Sequence, residues 1–165
     1  MTVIKGILIP AEESDAATVV ELEQGDLKAM QDCVGGYVQM VDGTNPDLTF
    51  VINEEGKVHN LPLNRRGTLM LWVHNNAFQG YDYFNGDVLV IGPADEETGE
   101  STSAPAELIE LFFNTERYRY LVQTGGSTWD GNGVTYDNWV DAYNYGLALA
   151  KRWTLVTAVK VVAAS

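Results

Sequence analysis

Residues 3–52 read VIKGILIPAEESDAATVVELEQGDLKAMQDCVGGYVQMVDGTNPDLTFVI, and the succession of patterns in this stretch decides the fold. Val3–Ile9 is an apolar run of strand length closed by Pro10, which has no N–H to give to a ladder. Residues 11–16 (AEESDA) are polar and read as a loop, and 17–22 (ATVVEL) read as a second strand. Asp26 stands at the N-cap position before Leu27, Met30 and Val34, whose spacings of three and four predict a helix over 27–34 ended by Gly35-Gly36. Cys33 falls on the buried side of that helix, as a small core thiol. Residues 37–41 alternate as a strand, Asp42-Gly43 and Asn45-Pro46 signal a turn, and 48–52 form the next strand. Strand, strand, helix, strand, strand with short links implies an α+β domain. It would hold a mixed or antiparallel sheet with two or three packed helices.

Three more segments complete the pattern: VINEEGK (51–57), LPLNRRGT (61–68) and GDVLVIGPADEE (86–97). In this order and spacing, residues 3–95 resemble a family of uncharacterised domains found in bacteriophages, especially those of actinobacteria, and in some bacterial hosts. The resemblance implies an N-terminal domain over 1–95 and brings no settled activity with it. It also bears on 64–75, where Asn64 is a good N-cap but Leu69–Val73 is an unbroken apolar run that suits a buried helix or a buried strand equally. A helix there fits the family order, with a strand over 87–91 after it.

Residues 92–104 (GPADEETGESTSA) have no apolar periodicity and read as an acidic linker, centred on 96–104. A second unit, 105–165, follows. Pro105 opens a short helix through Phe113, 118–123 is a strand, Asp130-Gly131-Asn132-Gly133 signals a hairpin turn, and 134–136 pairs back. Asp137 can cap a helix over 138–152 with a stripe at Ala142, Tyr145, Gly146, Leu149, Ala150 and Trp153, and 155–162 closes as a strand. Residues 134–162 resemble a small strand–helix–strand module of actinobacterial phage proteins. Tyr136, Ala142, Tyr145, Leu149, Arg152 and Trp153 match it, while Asn144 and Gly146 depart from its usual alanines.

Ten basic residues against twenty-three acidic ones give a net charge of −13. Between Gly67 and Glu116 there is no lysine or arginine, and there are nine acids. Such a surface repels phosphates, so direct nucleic-acid binding is not expected and a partner with a basic surface is. No apolar run reaches the ~18 residues of a membrane span, the N-terminus lacks signal-peptide features, and the one cysteine precludes an internal disulfide. A cytoplasmic protein, in the bacterial host cytoplasm, is expected.

No catalytic constellation is complete. Gly131-x-Gly133 lacks the rest of a nucleotide fingerprint, and Val134 stands where a calcium loop needs an oxygen ligand. His59, His74 and Cys33 have no metal-ligand spacing, so neither metal nor cofactor is expected. Two polar tracts, signatures of the family that the chain resembles, are binding candidates: Asn53-Glu54, and Asn64-Arg65-Arg66 as an anion clamp. A second candidate is a partner surface of Tyr81, Tyr83, Phe84, Asp82, Asp87, Asp95, Glu96 and Glu97, where aromatic rings adjoin acids. The reading as a whole is a non-enzymatic phage accessory protein that binds a host protein, for counter-defence or host takeover. A small-molecule or nucleotide-binding domain using Arg65 and Arg66 is the alternative.

Overall fold

The computed structural model describes residues 2–164. Five strands, β1 (Val3–Ile9), β2 (Thr18–Glu23), β3 (Val38–Gly43), β4 (Leu48–Asn53) and β5 (Val88–Ile91), form one sheet in the order β2-β1-β5-β4-β3, antiparallel throughout. The short strand β5 is the keystone. Val90 lies between Ile7 and Phe50, and all four residues of β5 are buried.

Strand alternation then divides the core. Leu89 and Ile91 join Ile4, Leu22 and Val51 on one face, against Met30 and Val34 of α1 (Leu27–Val34). Val88 and Val90 join Ile7, Ile9 and Phe50 on the other, against α2 (Arg65–His74). Cys33 packs at the margin of the first cluster, half-buried. The apolar run 69–73 is helical. It is uniformly apolar because α2 is covered twice, by the sheet on one side and by the C-terminal helix on the other.

The C-terminal unit holds α3 (Ala106–Phe113), β6 (Tyr118–Gln123), α4 (Trp139–Arg152) and β7 (Ala158–Ala163), with β6 and β7 an antiparallel pair. Its buried side chains, among them Leu108, Phe112, Tyr120, Trp139, Tyr143 and Val159, belong to the same hydrophobic cluster as Ile7, Phe50 and Val90. A single core therefore runs from the five-stranded sheet through α2 into the two-stranded one.

Four local expectations are corrected. The N-cap of α4 is Asn138, whose Oδ1 accepts from Asp141 N at 2.9 Å, rather than Asp137, which pairs with Arg117. The buried face of α4 is Trp139, Ala142, Tyr143, Gly146 and Leu147, so the stripe is rotated from the expected one. Tyr145 and Trp153 are 51% and 42% exposed, because the row from Trp139 through Tyr143 carries the rings that meet Phe112, with Phe112 and Trp139 stacked at 4.1 Å. The chain turns back on β6 before Asp130, and 130–136 lies beside the strand through bridges at Val122–Asp130 and Tyr118–Tyr136, so Asp130–Gly133 is a bulge. Finally, 92–104 is an ordered excursion. Gly92 N donates to Thr102 O, Asp95 N to Glu100 O, and the returning chain lays Ala104 N on Lys5 O.

Gly146 records how closely α4 approaches the two-stranded sheet, since a Cβ there would lie 2.9 Å from Val159 Cγ1 and 3.0 Å from Tyr120 Cβ. In an exposed helix, alanine would gain up to ~1 kcal/mol over glycine. Here overpacking, costing about 1–3 kcal/mol, outweighs that gain. Gly146→Ala should therefore lower the melting temperature, and a rise would show that α4 packs more loosely than described.

Candidate functional site

The two polar tracts singled out in the sequence fold on opposite faces of the sheet. Asn53 belongs to the α1 face, where its Nδ2 donates to Val34 O at 3.2 Å and its Oδ1 accepts from Glu55 N. Glu54 beside it is exposed. Asn64 belongs to the α2 face and is fully buried. Its Oδ1 caps α2 by accepting from Gly67 N at 2.8 Å, and its Nδ2 donates to Ile9 O and Gly86 O.

Arg66 is also buried, and its Nη2 sits among the carbonyls of Pro10, Glu12 and Asp15 at 2.7, 3.1 and 2.8 Å. That cage of acceptors fastens the 10–15 loop to α2 and would repel an anion, so Arg66 is not available for a clamp. Arg65 is half-exposed and lies 3.6 Å from Glu13. The two arginines thus have unlike tasks, and the anion clamp is not formed.

The aromatic loop divides as well. Phe84 is buried against Phe50, with ring centroids 5.3 Å apart, so it is core rather than partner surface. Asp87 accepts from Ala11 N at 2.9 Å. Lys57 pairs with Asp82 at 2.8 Å and lies over the Tyr83 ring, while Tyr81 is 87% exposed. Burial acts to raise the Asp82 pKa, but hydrogen bonds from Lys57 and Tyr83 N outweigh it and hold the carboxyl below its usual range. Asp82–Asp87 precede β5 and Asp95–Glu97 follow it, which puts ~13 Å of strand between them. They do not form one patch.

The second group stands in a different company. Register places the start of β1, the end of β2, the start of β4 and the end of β5 together, so Glu21, Glu23, Asp47 and the 92–102 excursion share one end of the sheet. Gln24 Nε2 ties the excursion to that end by donating to Ser101 O. At its tip Asp95 accepts from Glu97 N and Thr98 N, bonds that hold its carboxyl below the usual range and keep the turn ordered. Glu96, Glu97 and Glu100 are exposed around it.

Next to this end lies a groove of about 430 Å³ between α3, the β3–β4 turn and β7. Glu107 and Glu110 of α3 rim it, Asn45 and Pro46 form a second wall, and Trp129, with Lys160 Nζ 4.5 Å above its ring, closes a third side. At the base are His74 and Tyr143, both fully enclosed. His74 Nδ1 lies 2.9 Å from Thr44 O, an acceptor, so Nδ1 carries the proton and Nε2 accepts from Tyr143 Oη at 2.6 Å. Burial lowers the His74 pKa to about 4, against an opposing contribution from the Thr44 and Asn45 backbone, and it raises that of Tyr143. Sequence spacing could not find this pair, because its partners are 69 residues apart. Among the described residues no cluster of histidine, cysteine and carboxylates is arranged to hold a metal, and no helix is long and apolar enough to cross a membrane.

Two outcomes follow. Arg66→Ala strips three part-buried carbonyls of the 10–15 loop of their donor and should cost about 1–3 kcal/mol by denaturant unfolding, whereas Arg65→Ala should stay within about 0.5 kcal/mol. Equal effects would contradict the division. For His74, the folded pKa lies below the unfolded value of 6.5, so its contribution to stability is complete above pH 6.5 and is lost as pH falls towards 4. Melting curves should show the wild type losing up to ~3 kcal/mol more than His74→Gln between pH 7 and pH 4. Parallel losses would show that His74 is not held neutral.

No curated protein and no solved structure matches the chain. A family profile described as a domain of unknown function, DUF3846, matches residues 4–117, which takes in the five-stranded sheet, α1, α2, the 92–104 excursion and α3. The chain belongs to the DUF3846 family.

Proposed function

We propose that this protein is a non-enzymatic phage accessory protein that acts in the cytoplasm of a bacterial host by binding a basic host protein through the acidic end of its sheet. The observation that carries the reading is the ordered excursion 92–102, whose hydrogen bonds hold Asp95, Glu96, Glu97 and Glu100 in fixed exposed positions. A solubilising charge needs no such order. A preformed acidic knob binds with less loss of loop entropy, and its field speeds encounter with a basic surface. Glu107 and Glu110 extend the charge along α3, and Trp129 replaces the Tyr81–Phe84 loop as the aromatic neighbour of the acids. A host protein that binds nucleic acid presents the complementary surface, so competition with DNA and counter-defence are the roles this chemistry serves.

The test keeps Asp95, which maintains the turn, and reverses its neighbours. The variant Glu96→Lys, Glu97→Lys, Glu100→Lys should retain its fold and lose capture of basic host proteins from lysate at low salt. Wild-type capture should itself fade between ~0.05 and 0.5 M salt, as the Debye length shrinks. Capture by the variant equal to wild type would remove this surface from the account.

A further inference from the structure

One strand edge beside the acidic end is left open. On its far side β6 exchanges backbone hydrogen bonds with the returning chain, Tyr118 with Tyr136 and Val122 with Asp130. Backbone groups alternate in direction along an antiparallel strand, so Arg119, Leu121 and Gln123 must face β7. The register sets them against Val162, Lys160 and Ala158. Val159, Val161 and Ala163 of β7 therefore point their N–H and C=O groups away from β6. Among the described residues no hydrogen bond ends on those outward groups, and β7 has β6 as its sole neighbour in the sheet.

Val161 and Ala163 of that edge line the 430 Å³ groove together with Glu107 and Glu110 of α3. The outer strands of the five-stranded sheet carry acids, Glu21 and Glu23 on β2 and Asp42 on β3, which discourage strand addition. The AVKVVA sequence of β7 has no acid and no proline, and its one charge, Lys160, is turned onto the Trp129 ring.

We propose that the open edge of β7 takes an extended, basic segment of the partner protein as a third strand beside β6, with the segment's cationic side chains set against Glu107 and Glu110. The inference rests on the acidic-surface reading, and it adds a backbone-directed mode of recognition to it. Main-chain hydrogen bonds supply affinity, and the carboxylates on α3 supply the preference for basic sequence. Lys160 is the one base among the residues that line the groove, against the two acids Glu107 and Glu110, so the lining keeps a net negative charge.

The probe is a fluorescent alternating valine–lysine octapeptide, compared by anisotropy at low salt with analogues N-methylated on the valines or on the lysines. N-methylation deletes ladder donors and keeps the charge. The parent peptide should bind wild type, and at least one analogue should lose about tenfold or more in affinity. Ala163→Pro, at an exposed position whose N–H has no partner in the fold, should weaken the parent peptide comparably. Glu107→Gln with Glu110→Gln should weaken parent and analogues alike. If Ala163→Pro does not fold, the methylated peptides on wild type decide alone. Equal affinity for all three peptides overturns strand addition and leaves the acidic-surface reading standing. Failure of wild type to bind any of them overturns both.

Discussion

The bond between His74 Nε2 and Tyr143 Oη, 2.6 Å long and wholly buried, ties the two parts of the molecule together. His74 ends α2, and its Nδ1 is committed to Thr44 O in the β3–β4 turn. Tyr143 is the most enclosed ring of α4. A polar pair inside an apolar core is tolerated only when every donor and acceptor finds a partner. Satisfying both rings fixes α2, the β3–β4 turn and α4 against one another. The groove next to them, and the placing of β7 across from α3, are consequences of that fixed arrangement.

Charge takes its form from the same frame. A net charge of −13 costs stability through self-repulsion, and the fold reduces that cost by spreading carboxylates over loops, edges and one end of the sheet. Few of the bases are placed to neutralise that end. Lys57, Arg65 and Arg117 pair with acids elsewhere, Arg66 is consumed inside, and Lys5 faces Glu21 across the β1–β2 pair. The acidic end is left with a net field, which is why the proposed partner is basic.

Much of the fold was legible because local rules and tertiary context agreed. Asp26 and Asn64 cap the helices their spacing announced, and Gly35 ends α1 in the left-handed conformation. The rotated face of α4 was not legible, since aromatic residues occupy both candidate rows and only contact with Phe112 and α2 selects between them. Arg66 misled for a related reason. A guanidinium next to a turn looks like an anion ligand until the carbonyls of a loop 51–56 residues earlier in the chain are seen around it. The groove drew no notice in the sequence, because His74, Glu107, Trp129 and Tyr143 carry no mutual spacing rule and meet only through topology.

The central claim is that the segment matched by the family and the C-terminal unit share one core, which holds the acidic end and the groove in register. Native-state hydrogen exchange at increasing denaturant measures this directly. Amides of Leu121 and Val122 in β6 and of Ala142 and Tyr143 in α4 should exchange through the same global opening, with the same denaturant dependence, as those of Phe50 in β4 and Leu89 in β5. Exchange of the C-terminal amides through a separate opening of much lower free energy, while β4 and β5 stay protected, would contradict the single core.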